Sequence, residues 1–210
     1  MNQRVSAYQR LLDIPEIFRG AELTMRFQWT SKKTSQYLYM WAERGLVEPF
    51  GGHSDVYANL VRNRTPKWEV ALQKAMPSAL VIGVDALRRA GVTTQIMHRP
   101  EIAVLSTDPV YKADRYTLVP KSARYFSRVR PGIIRQDNGL QVLRPEWALA
   151  DLLSSGGWKG FPLDPDDFDW DGGLDRDELR KAILSMKLSA DIEEQALLSD
   201  PDSGGDAPQP

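Results

Sequence analysis

Between Ser31 and Tyr39 the sequence sets Lys32, Lys33, Ser35, Gln36 and Tyr39 on one side of a helical period. Thr34, Leu38 and Trp41 fall on the other side. Ammonium groups reach phosphates, and hydroxyl and carboxamide groups reach base edges. Ser31 and the two lysines also sit at the expected helix start, where backbone N–H groups attract anions. A loop of turn formers, Gly51-Gly52-His53-Ser54-Asp55, follows, and its exposed tip would bring His53 and Ser54 toward an adjacent groove. Arg62, Asn63 and Arg64 come next and add backbone contacts. The set suits a duplex polyanion. The solvated face of a small helical domain, or a protein-binding face, would use the same residue types.

A second constellation lies near the C-terminus. Asp167, Asp169, Asp171, Gly172, Leu174 and Glu178 match the spacing of a calcium loop, in which carboxylates wrap the ion and glycine permits the sharp turn. The helix that should enter such a loop is missing; Gly156, Gly157, Gly160, Pro162 and Pro165 stand there instead. The plainer reading is an acidic connector in which Asp175 or Asp177 caps the following helix.

Enzymatic signatures are lacking. There is no G-x-S-x-G, no glycine-rich phosphate loop with lysine and no cysteine. With two histidines, His53 and His98, a multi-histidine zinc site is nearly excluded. Glu101 with Asp85 or Asp114 offers acids for a nuclease, but no lysine follows Glu101 at short spacing. His98 and Ser106 read as structural residues. Neither a catalytic role nor a cofactor is expected.

The elements that must carry these residues follow from period and punctuation. Val5, Tyr8, Leu11 and Leu12 form a helical stripe that ends before Pro15. Gly20 to Phe27 is a second short helix, with Ala21, Leu23 and Phe27 as buried positions. Thr30 or Ser31 caps a third, about Lys32 to Arg44, and Gly45 stops it. Leu46 to Phe50 and Val56 to Val61 then form a hairpin. Helix, turn, helix and two-stranded hairpin is the winged-helix order, which buries one face of the third helix and offers the other to a major groove.

Beyond it, Lys67 to Met76 and Ala79 to Arg89 read as helices. Ile102 to Ser106, Tyr116 to Val119, Ala123 to Val129 and Leu140 to Leu143 read as extended. Asn138-Gly139 is a hairpin turn pairing Ile133–Arg135 with Leu140–Val142. Pro145 opens a helix over Glu146 to Ser154. Trp29, Trp41, Trp68 and Trp147 are read as core packing. Tyr125 and Phe126 among Arg124, Arg128 and Arg130 read as the two faces of a strand, or as a basic aromatic surface for nucleic acid. A helix over Asp175 to Lys187 and a short one capped by Ser189 complete the pattern, and Ser199 to Pro210 reads as disordered.

The expected organisation is therefore α+β: a winged helix-turn-helix domain over 1–65, a mixed α+β domain over 66–160 and an acidic tail over 161–210. In 210 residues, 42% hydrophobic and 26% charged, a packed core is expected. No apolar run reaches the roughly 18 residues of a membrane span, and a cytoplasmic location is expected. The net charge of −1 hides an asymmetry: residues 1–160 carry 23 basic against 14 acidic side chains, and 161–210 carry 4 against 14. A basic body suits a polyanionic partner.

Three segments together resemble the AbiE-type antitoxin family of type IV toxin–antitoxin systems. They are the N-terminal helices ending in Arg44-Gly45-Leu46-Val47, the stretch Pro77-Ser78-Ala79-Leu80 with Asp85-Ala86-Leu87-Arg88-Arg89-Ala90-Gly91, and Leu143-Arg144-Pro145-Glu146-Trp147-Ala148-Leu149-Ala150-Asp151-Leu152-Leu153. The likeness spans about residues 5 to 155, and Trp147 stands where the family usually has arginine. The resemblance implies an antitoxin whose winged helix binds repeats in its own promoter and represses it, as a dimer or cooperatively. It also implies a second domain that opposes a nucleotidyltransferase-like toxin without a stable complex.

Overall fold

A computed structural model describes residues 6–108, 112–155, 163, 169 and 174–189. The fold is mixed α+β, in two compact units. The first comprises Met1–Ala79 with the loops Thr107–Arg115 and Asp137–Leu140; the second comprises the rest. The boundary expected at residue 65 thus falls inside the first unit.

In the first unit, α1 (Ala7–Leu12), β1 (Ile17–Arg19), α2 (Gly20–Phe27) and α3 (Ser31–Glu43) are followed by β2 (Val47–Pro49), β3 (Val56–Asn59) and α4 (Trp68–Ala75). Ser6 caps α1 through a capping box with Gln9. The strands form an antiparallel sheet in the order β1-β3-β2, with Ile17 opposite Ala58 and Glu48 opposite Ala58 on the other side. Leu11, Ile14, Phe18, Leu23, Leu38, Trp41 and Val47 make one core. Each such buried side chain contributes about 1.5–3 kcal/mol.

Two expectations on these helices are corrected. Tyr8 and Leu12 are 56% and 46% exposed. α1 is only six residues long, so Leu11 with the following Ile14 seats it, while Tyr8 and Leu12 face out; Val5 lies outside the described residues. Ala21 is exposed, and Leu23 is the side chain with which α2 enters the core.

Asn59, fully buried, ties the chain after the hairpin to the end of α1. Its Nδ2 donates to the carbonyls of Leu11 at 2.7 Å and Ile14 at 3.2 Å. Leu11 lies in the last turn of α1 and Ile14 just beyond it, where carbonyls lack the i+4 helical donor, and the Leu11 carbonyl also accepts from the Ile14 amide at 3.1 Å.

The second unit holds β4 (Leu80–Val81), α5 (Gly83–Arg89), β5 (Glu101–Leu105), β6 (Thr117–Lys121), α6 (Ala123–Val129), β7 (Ile133–Arg135), β8 (Gln141–Leu143), α7 (Pro145–Ser154) and α8 (Arg176–Met186). The five strands run β6-β5-β4-β8-β7. The β4–β8 and β5–β6 pairs are parallel, and β4–β5 and β7–β8 antiparallel. β7 pairs with β8 across the Asn138-Gly139 turn, as expected, but one residue later than expected: Gln141–Leu143 rather than Leu140–Val142 forms the partner strand, with Ile133 opposite Leu143. Leu179, Ile183 and Met186 are buried along α8, as their spacing requires.

Two expected elements change type. Ala79 to Arg89 is not one helix: Leu80 and Val81, both fully buried, form the central strand, and the helix starts only at Gly83, whose φ is +63°. Ala123 to Val129 is not extended but the helix α6, whose N-terminus is capped by the Ser122 hydroxyl accepting from the Tyr125 amide at 3.2 Å. The strand reading of Tyr125 and Phe126 falls with it.

Of the calcium-loop residues, Asp167, Asp171 and Gly172 lie outside the described residues, as do the helix expected after Ser189 and the tail. No helix among the described residues is long and apolar enough to cross a membrane.

Candidate nucleic-acid interface

Thr30 starts α3: its hydroxyl accepts from the Lys33 amide at 3.3 Å. Ser31 is then the first helical residue. Thr34, Leu38 and Trp41 are buried as their spacing required, and the Thr34 hydroxyl meets that of Thr24 on α2 at 2.9 Å. Gln28, in the left-handed region at φ 51°, closes α2 and lets three residues turn the chain into α3.

This anchoring fixes which side of α3 faces outward. At about 100° per residue, Lys32, Gln36 and Tyr39 lie within roughly 40° of the direction opposite Thr34. All three are exposed, as are Ser31, Lys33 and Ser35 on the flanks. The Ser35 hydroxyl donates back to the Ser31 carbonyl at 3.0 Å, which leaves its lone pairs outward. Glu43 lies on the same side but 11 residues from Lys32, about 16 Å along the axis.

An aromatic platform adjoins the N-terminal turn of α3 and packs against the core, as expected of Trp29. Trp29 stacks between Phe27 and Tyr37, with ring centroids 4.8 and 4.3 Å apart. The Lys33 ammonium stands 5.3 Å from the Trp29 ring, and the Arg10 guanidinium faces Phe27, Trp29 and Tyr37 at 6.0, 5.2 and 5.4 Å. Arg10 thereby joins α1 to the α2–α3 turn by cation–π attraction. The recurrence of Tyr37 and Trp41 one helical turn apart was the available signal.

The β2–β3 loop is held rather than loose. Gly52 and Lys112 exchange backbone hydrogen bonds at 3.0 and 3.2 Å. The Asp55 carboxylate accepts from the Ala21 amide at 3.2 Å, so it serves the N-terminus of α2. His53 is exposed at φ 67°. Ser54 is buried, and its hydroxyl accepts from the Val56 amide at 3.1 Å; it therefore shapes the turn. Arg62 donates to the Leu12 carbonyl at 2.8 Å, closing α1. Arg64 lines a cleft with Arg44 and Tyr8.

Of the acids weighed for other chemistry, Asp85, Asp175 and Glu178 have partners. Asp85 is buried and receives Arg88 and Arg89, each at 2.7 Å. Asp175 caps α8, accepting from the amides of Asp177 and Glu178 at 2.9 and 3.1 Å, so the capping reading of this aspartate holds. Glu178 accepts from the Trp147 indole and from Lys181, which pull its pKa below the usual carboxylate value. Among the described residues no group of three metal-ligating acids or histidines forms.

No family model and no curated protein matches the chain.

Proposed function

We propose that the first unit is a winged helix that binds double-stranded DNA through the N-terminal half of α3. The observation that carries this is the outward basic and polar face of Lys32, Lys33, Ser35, Gln36 and Tyr39, held out by Thr34, Leu38 and Trp41 and flanked by the β2–β3 hairpin. Lys32 has no acidic partner among the described residues, so its charge is available to a phosphate. Lys33 over Trp29 is pre-oriented at the helix start, where a phosphate would also meet backbone N–H groups.

On this reading the chain is a transcriptional repressor. Its resemblance to AbiE-type antitoxins supports a role in repressing its own promoter and opposing a nucleotidyltransferase-like toxin. A nucleotidyltransferase reading frame directly downstream of the gene is expected, and a promoter fragment from the same operon should be protected from nuclease by the purified chain. Uniform cleavage across that fragment at saturating protein would overturn the reading.

A second reading has its own observation. Met25 and Tyr39 are 74% and 68% exposed, and Met40 is 41% exposed, on the same helix pair. Large apolar side chains exposed on these two helices would suit a protein partner. Under that reading the fragment is not bound and a co-purifying protein is displaced by Tyr39→Ser.

A further inference from the structure

The C-terminal end of α3 borders a cleft of about 510 Å³ whose contents differ from those of the DNA-facing surface. Arg44 and Arg64 line it together with the Tyr8 ring, and Leu46 and Leu60 supply apolar lining. No acid is among its lining residues. Neither arginine has an acidic partner among the described residues.

Two guanidinium groups lining one cleft without a counter-charge give it a positive potential that an anion seated there would neutralise. Guanidinium forks match the oxygens of a carboxylate or phosphate in two-point contacts. The α3 carbonyls at this end do not compete, because Gly45 and Leu46 donate to Ala42 and Trp41, both at 2.9 Å. Gly45, at φ 62°, has no heavy atom within 4 Å of where a Cβ would stand, so the backbone leaves the space beside it open. The Leu60 amide donates to the Leu46 carbonyl at 3.0 Å, which makes the lining rigid. The volume lies in the range of small-molecule sites.

We infer that this cleft binds a small ligand that joins an oxyanion to a flat ring, with Arg44 and Arg64 on the oxyanion and Tyr8 against the ring. Arg44 stands twelve residues after Lys32, about 18 Å along the helix axis. The cleft is therefore separate from the surface assigned to DNA, and its occupancy does not depend on that assignment. The oxyanion is a phosphate or a carboxylate, since both satisfy the same fork.

Titration calorimetry of the full chain with phenyl phosphate, benzoate and inorganic phosphate tests the site. Phenyl phosphate or benzoate should saturate at one equivalent with a dissociation constant at or below about 1 mM. The tighter of the two identifies the oxyanion. Arg44→Gln and Arg64→Gln should each weaken it at least about tenfold while leaving the melting temperature unchanged, since both side chains are exposed. Tyr8→Ala should weaken the ring-bearing probe and spare inorganic phosphate. The double variant Lys32→Ala, Lys33→Ala should bind the probe as the wild type does. Absence of saturable binding for all three probes overturns the assignment. So does unaltered binding in Arg44→Gln combined with Arg64→Gln, or loss of binding in the lysine variant.

Discussion

The indole N–H of Trp147 donates to Glu178 Oε1 at 3.0 Å, joining α7 to α8 in the second unit. Trp147 is 1% exposed, and Arg144 and Lys181 approach the same carboxylate at 3.6 and 3.2 Å. Trp147 therefore orients Glu178.

The Trp147–Glu178 contact gives the fold an acid-sensitive component. The Trp147 hydrogen bond is the largest cause that lowers the Glu178 pKa from 4.5, followed by Lys181. A carboxylate lowered in the folded state contributes stability that is present above its unfolded value and lost as pH falls through the folded value. Trp147→Phe keeps an aromatic ring and removes the donor. Its melting temperature should fall less than that of the wild type on acidification from about pH 6 to pH 3. Thermal melts across that range check it, and an unchanged acid slope would contradict the assignment.

Gly132 is required by the same tryptophan. A Cβ on Gly132 would stand 2.1 Å from Trp147 Cγ, and Trp147 is too buried to move aside. Gly132→Ala should lower stability by about 1–3 kcal/mol, the cost of overpacking a filled core. Urea denaturation measures this directly, and a midpoint equal to that of the wild type would refute the contact.

Asp151 on α7 behaves oppositely to Glu178. Burial raises its pKa, with a smaller contribution from Glu101, while Lys121 at 3.9 Å and Tyr125 oppose the rise. Its Oδ1 and the Tyr125 hydroxyl are both buried. A raised carboxyl contributes stability that is present below its unfolded value, near 3.8, and lost as pH rises through the folded value. Asp151→Asn removes the charge and should raise the melting temperature by a few degrees near neutral pH, with no gain below about pH 4. A gain of equal size at both pH values would point to something other than ionisation.

The legible parts of the fold were those written in local chemistry. Thr34, Leu38 and Trp41 announce the buried face of α3 by spacing alone, Gly45 marks its end, and Asn138-Gly139 specifies the β7–β8 hairpin. The illegible parts depend on distant partners. Ile17–Arg19 is a strand only because β3 lies beside it, since three residues carry no period. Leu80-Val81 lies in an unbroken apolar run, which reads equally as buried helix or strand, and its neighbours β5 and β8 decide the matter. Over Ala123–Val129 the β-prone Tyr125, Phe126 and Val129 point to a strand and the Ser122 cap points to a helix; the cap is the truer signal.

At the candidate site, the exposed face of α3 was readable. The roles of Ser54 and Arg62 were not, because both are defined by backbone groups that only folding brings near: the turn at Val56 and the end of α1. Likewise the pairing of Arg44 with Arg64 across a cleft joins residues separated by the hairpin.

The central claim is that Lys32 and Lys33 meet phosphates of duplex DNA. The decisive measurement is the slope of log affinity against log salt concentration for a promoter duplex, compared between the wild type and Lys32→Ala with Lys33→Ala. The wild type should bind with a steep negative slope, and the double variant should bind more weakly with a slope shallower by about 1.8, the value for two lost phosphate contacts on B-form DNA. Equal slopes and equal affinities for the two proteins would contradict the account.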